Sequence, residues 1–152
     1  METVPYLAAK FVHTLLTIVA VGFNISYNLW LRQAGNDPSK LKFALAGIKV
    51  LDDRFANPCY ILLLVTGGVM VVVGNLPMTQ LWLWLSSVLW VGIMVVAYAF
   101  YTPALRRQIA VLEESGTENA AYRQASRRVA LIGQALALTV MIILLLMIIK
   151  PA

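Results

Sequence analysis

Four stretches of the chain are apolar for long enough to cross a bilayer, which takes ~20 mostly apolar residues. They run from Tyr6 to Leu31, from Pro58 to about Gly74, from about Leu81 to Thr102 and from Val129 to Ile149. Between the first two lies a stretch of different rhythm. Leu41, Leu45, Ile48, Leu51 and Phe55 recur there at helical spacing, with Lys40, Lys42, Lys49 and Asp53 among them. This predicts an amphipathic helix, opened by the cap and first-turn proline of Asp37-Pro38. Its expected place is on the membrane surface; a cap packed on the helical bundle is the alternative. Asn57-Pro58 repeats the cap signature and predicts the start of the second span. Asn75-Leu76-Pro77-Met78-Thr79 reads as a tight turn, which makes spans two and three antiparallel neighbours. Glu113-Glu114-Ser115-Gly116-Thr117-Glu118 predicts a break between two helical extensions. The expected fold is all-α: one domain over residues 1–152, an antiparallel bundle of four transmembrane helices with a cytoplasmic amphipathic helix.

The first span carries a polar stripe. At ~100° per residue, Lys10, His13, Thr17, Asn24 and Asn28 fall within ~60° of arc and extend along ~27 Å. Polar side chains cost free energy in hydrocarbon, so the stripe should face the bundle. The other spans offer faces to meet it: Tyr60, Gly67 and Gly74 on the second, Ser87, Trp90, Met94 and Tyr101 on the third, and Ala130, Gly133, Gln134 and Ala137 on the fourth. Small residues allow close approach, and side-chain hydrogen bonds hold register. Thr17, Asn24, Asn28 and Gln134 are the candidate interior polar stripe, with Asn24, Asn28 and Gln134 expected at matching depths.

Composition supports this picture. Hydrophobic residues make up 61% of the chain and charged ones 12%, against ~25% charged in soluble domains. A soluble domain this small could not hide so much apolar surface, and disorder is excluded with it. Cys59 is the single cysteine, which excludes a disulfide scaffold. Of the 12 Lys and Arg residues, only Lys10 and Lys150 lie at one end of the spans. Arg32, Lys40, Lys42, Lys49 and Arg54, with Arg106, Arg107, Arg123, Arg127 and Arg128, lie in or beside the two long connections. The positive-inside rule then puts those connections in the cytoplasm and both termini outside. It also explains the net charge of +5 through the lipid bilayer, with no nucleic acid. Tyr6, Trp82 and Trp84 at one boundary, and Trp30, Phe55, Tyr60, Phe100 and Tyr101 at the other, suit the headgroup zones. The first span reads as retained rather than as a signal peptide, with Glu2 where a basic leader would stand.

His13 is the only histidine. Neutral imidazole can ligate a metal or haem or relay a proton, and it can also simply hydrogen-bond a neighbour. Lys10 and Lys150 are expected near it in an outer vestibule, placed to attract a haem propionate or a lipid phosphate; snorkelling to the headgroups is the alternative for Lys10. One histidine cannot supply both axial ligands of a haem b. A methionine (Met70 or Met147), an open position, or His13 of a second copy in a homo-oligomer would complete it. No acidic residue lies inside a span, and no CxxC, CxxCH or HExxH occurs. No catalytic constellation points to an enzyme. Met70, Met78, Met94, Met141 and Met147 form no cluster of the kind soft metals need.

In order along the chain stand Lys10-Phe-Val-His13, Gly22 and Asn24, Trp30 to Ala34, Pro58, Thr66-Gly67, Tyr122, Arg127-Arg128 and Lys150-Pro151. In this order the chain resembles the bacterial integral membrane family named domain of unknown function 2269, over nearly its whole length. The resemblance implies a bacterial inner-membrane protein. That family is in turn distantly similar to the copper-resistance protein D group and the membrane protoporphyrinogen oxidases, which implies a haem or copper ligand role for His13. Three functions stay open: a haem b-binding or redox-associated protein using His13, a cofactor-free accessory or assembly protein in a larger membrane complex, and a component for copper or small-molecule passage.

Overall fold

The structure, a computed structural model, describes residues 3–151. It contains helices α1 (Val4–Ala34), α2 (Pro38–Leu51), α3 (Asn57–Val73), α4 (Leu81–Val96), α5 (Thr102–Ser115) and α6 (Ala120–Ile149). Two π-helical turns, Asp52–Ala56 and Ala97–Tyr101, join α2 to α3 and α4 to α5. The chain therefore forms four long helical runs, two of them composite: Pro38–Val73 of 36 residues and Leu81–Ser115 of 35 residues. All four are long and apolar enough to cross a membrane.

The caps follow the sequence at several ends. Asp37 Oδ1 accepts hydrogen bonds from the backbone N–H groups of Ser39 and Lys40, at 2.9 and 3.2 Å. Gly35 closes α1 with φ 58° and Gly116 closes α5 with φ 67°, a region of backbone space that glycine enters without a Cβ penalty. Asn119 caps α6 through its side chain, which accepts from the Ala121 N–H at 2.9 Å. Asn57-Pro58 behaves differently from expectation, and Thr102-Pro103 shows the same pattern. Neither proline starts a new helix after a loop; the helix passes through both. A proline ring crowds the carbonyl four residues back and removes a donor. A π turn opens the backbone at that point. The Asn57 N–H bonds to the Asp52 carbonyl and the Thr102 N–H to the Ala97 carbonyl, each five residues back, so the widened turn sits directly before each proline.

The continuity changes the place of the amphipathic segment. A run of 36 residues is ~54 Å long at 1.5 Å per residue, against a hydrocarbon core of ~30 Å. By length and composition Asn57–Val73 is the half suited to that core, and the half carrying Lys40, Lys42, Lys49, Asp52, Asp53 and Arg54 is the one in excess of it. Leu41, Ala44, Leu45 and Ile48 of α2 are buried with Leu105 and Leu112 of α5, Tyr122 and Val129 of α6, and Tyr27 and Ala34 of α1. The apolar stripe of α2 thus faces other helices, as in the packed-cap alternative, and does not lie on a lipid surface. Apolar burial is favourable where water is the competing solvent, so the closed core forms at this end. Along the spans the drive between helices is weaker, and Phe11, Ile18, Ile25, Val72, Val95, Leu138 and Ile148 face outward. The helices pair as α1 with α3 and α4 with α6. α3 and α4, joined by the turn at Asn75 (φ 47°), meet through Tyr60 and Trp90, whose ring centroids are 5.6 Å apart at 70°.

Candidate functional site

The polar residues of α1 meet α3 along a seam that small side chains make possible. The two helices run in opposite directions here, so Tyr6 lies against Gly74, His13 against Gly67, and Asn24 against Tyr60. A Cβ at Gly74 would come within 2.7 Å of Tyr6 Cε2, and one at Gly67 would sit 3.4 Å from His13 Cε1. Tyr6, His13, Ala20 and Tyr27 share one heptad-spaced face of α1, and Gly74, Gly67 and Tyr60 share one of α3. Seven residues bring a helix back to nearly the same side, and that repetition sets the seam.

His13 is half-buried, with Nδ1 2.8 Å from Thr66 Oγ1. Thr66 has one hydroxyl proton, and its Oγ1 also lies 2.8 Å from the Leu62 carbonyl. Nδ1 of His13 and Oγ1 of Thr66 share this hydrogen bond, and which of them donates follows the imidazole tautomer. Thr17 donates back to the His13 carbonyl at 2.9 Å, which satisfies a hydroxyl inside its own helix. Asn24 Nδ2 donates to the Ala20 carbonyl at 2.8 Å and to the Tyr60 hydroxyl.

Other members of the expected stripe are placed elsewhere. Asn28 and Gln134 are exposed, and Asn24 bonds Tyr60 instead of either. The reason is rotational drift: over the 18 residues from Lys10 to Asn28 a face narrower than ~60° leaves the contact line, because 3.6 residues per turn does not divide the heptad. Lys10 Nζ lies 5.8 Å from the Tyr6 ring centroid, within α1. Lys150 Nζ lies 5.5 Å from the ring centroid of Trp82, on the α4–α6 pair. Each cation thus sits over an aromatic face, and these contacts lie on separate helix pairs. Among the described residues no group of three or more His, Cys, Asp or Glu side chains is placed to hold a metal ion.

A second polar layer lies at the end of the bundle that carries the two π turns. Asp52 is 5% exposed, within electrostatic reach of the hydroxyls of Tyr27, Tyr60 and Tyr101. Its neighbour Asp53 pairs with Lys49. Burial first, then repulsion from Asp53, push the Asp52 carboxyl up to about 6, against the pull of Lys49 and a hydrogen bond from Asn57. Tyr27 Oη and Trp90 Nε1 are buried there without a hydrogen-bond partner among the described residues. Asp52 stands beside Asp53 in a charged stretch, a setting in which a solvated face is the ordinary expectation. The signal was its spacing: Leu41, Leu45, Ile48 and Asp52 form one helical stripe.

Comparison with known proteins agrees with the membrane architecture. No match to a curated protein or to a solved structure was found. The model of one family, described as predicted integral membrane protein (DUF2269), matches residues 7–151; four helical runs of spanning length and an apolar exterior fit that description, and the chain belongs to this family.

Proposed function

We propose that this protein is a cofactor-free accessory or assembly component of a bacterial inner membrane, with both termini outside and its basic end in the cytoplasm. The observation that carries the reading is the α1–α3 seam. The α1 side chains best suited to hold a ligand, His13 and Asn24, are engaged with Thr66 and Tyr60 of the neighbouring helix. They fix the register of two helices, a common use of polar groups in lipid. The concentration of Lys and Arg at one end supports the orientation, and the exposed apolar faces leave room for a second copy or a larger complex. The test is an absorption spectrum with metal analysis on the full-length protein, purified from cells supplied with haem, iron and copper. The reading expects no Soret band and no stoichiometric iron or copper. It also expects His13→Ala to lower thermal stability without a spectral change. A Soret band, or bound copper, that disappears in His13→Ala overturns it.

A second reading, haem b held by His13, has one observation in its favour. Nδ1 of His13 is the ring nitrogen that bonds Thr66 across the seam, and a hydrogen bond at one ring nitrogen is what orients a histidine that ligates through the other. Thr17, Thr66 and Gly67 around it add no second axial donor. In this reading Lys10 would serve a propionate; Lys150, seated on Trp82, would have to leave that ring. The same spectrum separates the two readings.

A further inference from the structure

We infer that the groove between the start of α6 and the inner end of α4 is a binding site for one anionic phospholipid. The groove has a volume of about 580 Å³ and is walled on one side by Val96 and Phe100. The other wall is a single face of α6, where Gln124, Arg127 and Arg128 stand one and two turns before Leu131 and Ile132. These positions follow the three- and four-residue steps of a helix, so polar character changes to apolar along the axis and not around it. The arginines therefore stand at the headgroup level, and the aliphatic side chains lie ~5 Å deeper at 1.5 Å per residue. Beside the groove Tyr101 packs on Gly133, where an added Cβ would be 3.5 Å from the Tyr101 ring. That contact closes the bundle behind the hollow.

Charge complementarity selects the occupant. Arg127 and Arg128 are exposed. Among the described residues ion pairs join Lys40 to Asp37, Lys42 to Glu113 and Lys49 to Asp53, away from the groove. Guanidinium groups bind phosphate oxygens in a bidentate fork, and the Gln124 amide adds a donor. A free inorganic anion would meet the arginines and leave Phe100 and Leu131, at 50% and 57% exposure, uncovered. A phospholipid covers both levels: its phosphate meets the arginines and its acyl chain lies along the apolar walls. A zwitterionic choline headgroup brings its own cation to a site that already holds two. Basic pockets between spans on the cytoplasmic side are suited to anionic headgroups. The inference goes beyond the proposed function and holds whichever way the spectrum of His13 turns out.

The test is native mass spectrometry of the full-length protein in detergent. Phosphatidylglycerol, phosphatidylcholine of the same acyl chains, and inorganic phosphate are titrated separately. One phosphatidylglycerol per chain is expected to be retained in preference to phosphatidylcholine, and excess inorganic phosphate should not displace it. R127Q/R128Q should weaken phosphatidylglycerol binding about 30-fold, roughly fivefold for each charge. Leu131→Trp keeps both charges and fills the apolar wall; it should also release the lipid. Arg106→Gln removes a cation from the same end outside the groove and should change binding less than twofold. The site is refuted if the preference survives R127Q/R128Q or Leu131→Trp. It is equally refuted if Arg106→Gln weakens binding as much, or if inorganic phosphate competes the lipid away.

Discussion

His13 and Thr66, 53 positions apart in sequence, share a hydrogen bond of 2.8 Å across the α1–α3 seam. The same Thr66 oxygen lies 2.8 Å from the Leu62 carbonyl, so the imidazole is tied to backbone through one oxygen. Interhelical hydrogen bonds in membranes contribute about 0.6 kcal/mol on average and up to about 1.7 kcal/mol. A double-mutant cycle of His13→Ala and Thr66→Val, followed by thermal unfolding in detergent, should give a coupling in that range. Strict additivity of the two losses would show that the bond contributes nothing to the pairing of the helices.

The Tyr6 end of the same seam makes a steric prediction. An alanine at Gly74 would place its Cβ 2.7 Å from Tyr6 Cε2 and 2.7 Å from the Met70 carbonyl oxygen. Overpacking of this kind costs about 1–3 kcal/mol. Gly67→Ala meets only the His13 ring, Cε1 at 3.4 Å and Nδ1 at 3.9 Å, ordinary contacts, and should change stability by less than about 0.5 kcal/mol. Truncating Tyr6 in the Gly74→Ala background should restore only part of the loss, since the clash with the Met70 carbonyl remains. Equal melting temperatures for the two alanine variants would contradict the seam.

The four spans were legible in the sequence because lipid imposes a length and a composition on each of them. The heptad face Tyr60, Gly67, Gly74 was legible for the same reason, since only small or matching residues let two spans meet. The helical continuity was not. Asn57-Pro58 carries the local signature of a helix start, and nothing in the residues around it distinguishes a cap from a proline accommodated by a π turn. Which residue bonds Asn24 was also hidden, although Tyr60 stood on a face expected to meet the stripe. Gln134 and Asn28 match it in polarity and depth, but depth says nothing of rotation, and Tyr60 occupies the contact line. The contact of Lys150 with Trp82 depends on which helices pair, a property of the assembled bundle that no single span records.

Asn24 and Asn28 offer a direct comparison of two like residues one turn apart. Asn24 donates to Tyr60 and Ala20, whereas Asn28 is exposed. Asn24→Leu removes a bonded amide from the seam and should cost about 0.6–1.7 kcal/mol. Asn28→Leu replaces an exposed amide near the apolar boundary and should be neutral or slightly stabilising. Tyr60→Phe should reproduce part of the Asn24→Leu loss and add little to it in the double variant. Thermal melts of the four proteins in one detergent decide the point, and a larger loss at Asn28 than at Asn24 would reverse the assignment of the seam.

The buried carboxyl of Asp52 makes stability depend on pH in a stated direction. Its pKa is raised from 3.8 in the unfolded reference to about 6, with burial the leading cause. Below the lower value both states are protonated and the group contributes nothing. Between the two values the folded state holds a proton that the unfolded state has released, so stability falls as pH rises. Above about 6 both states are ionised and the penalty is at its full size, of order 1–3 kcal/mol at ~1.4 kcal/mol per pH unit. Asp52→Asn keeps the shape and the hydrogen bond to Asn57 while removing the titration. The variant should therefore be more stable than the parent at pH ~7.5, and the difference should shrink towards pH ~4. Melting temperatures of both proteins across that range measure it. A difference that stays constant with pH would mean that Asp52 has the same pKa folded as unfolded, and so is solvated in both states.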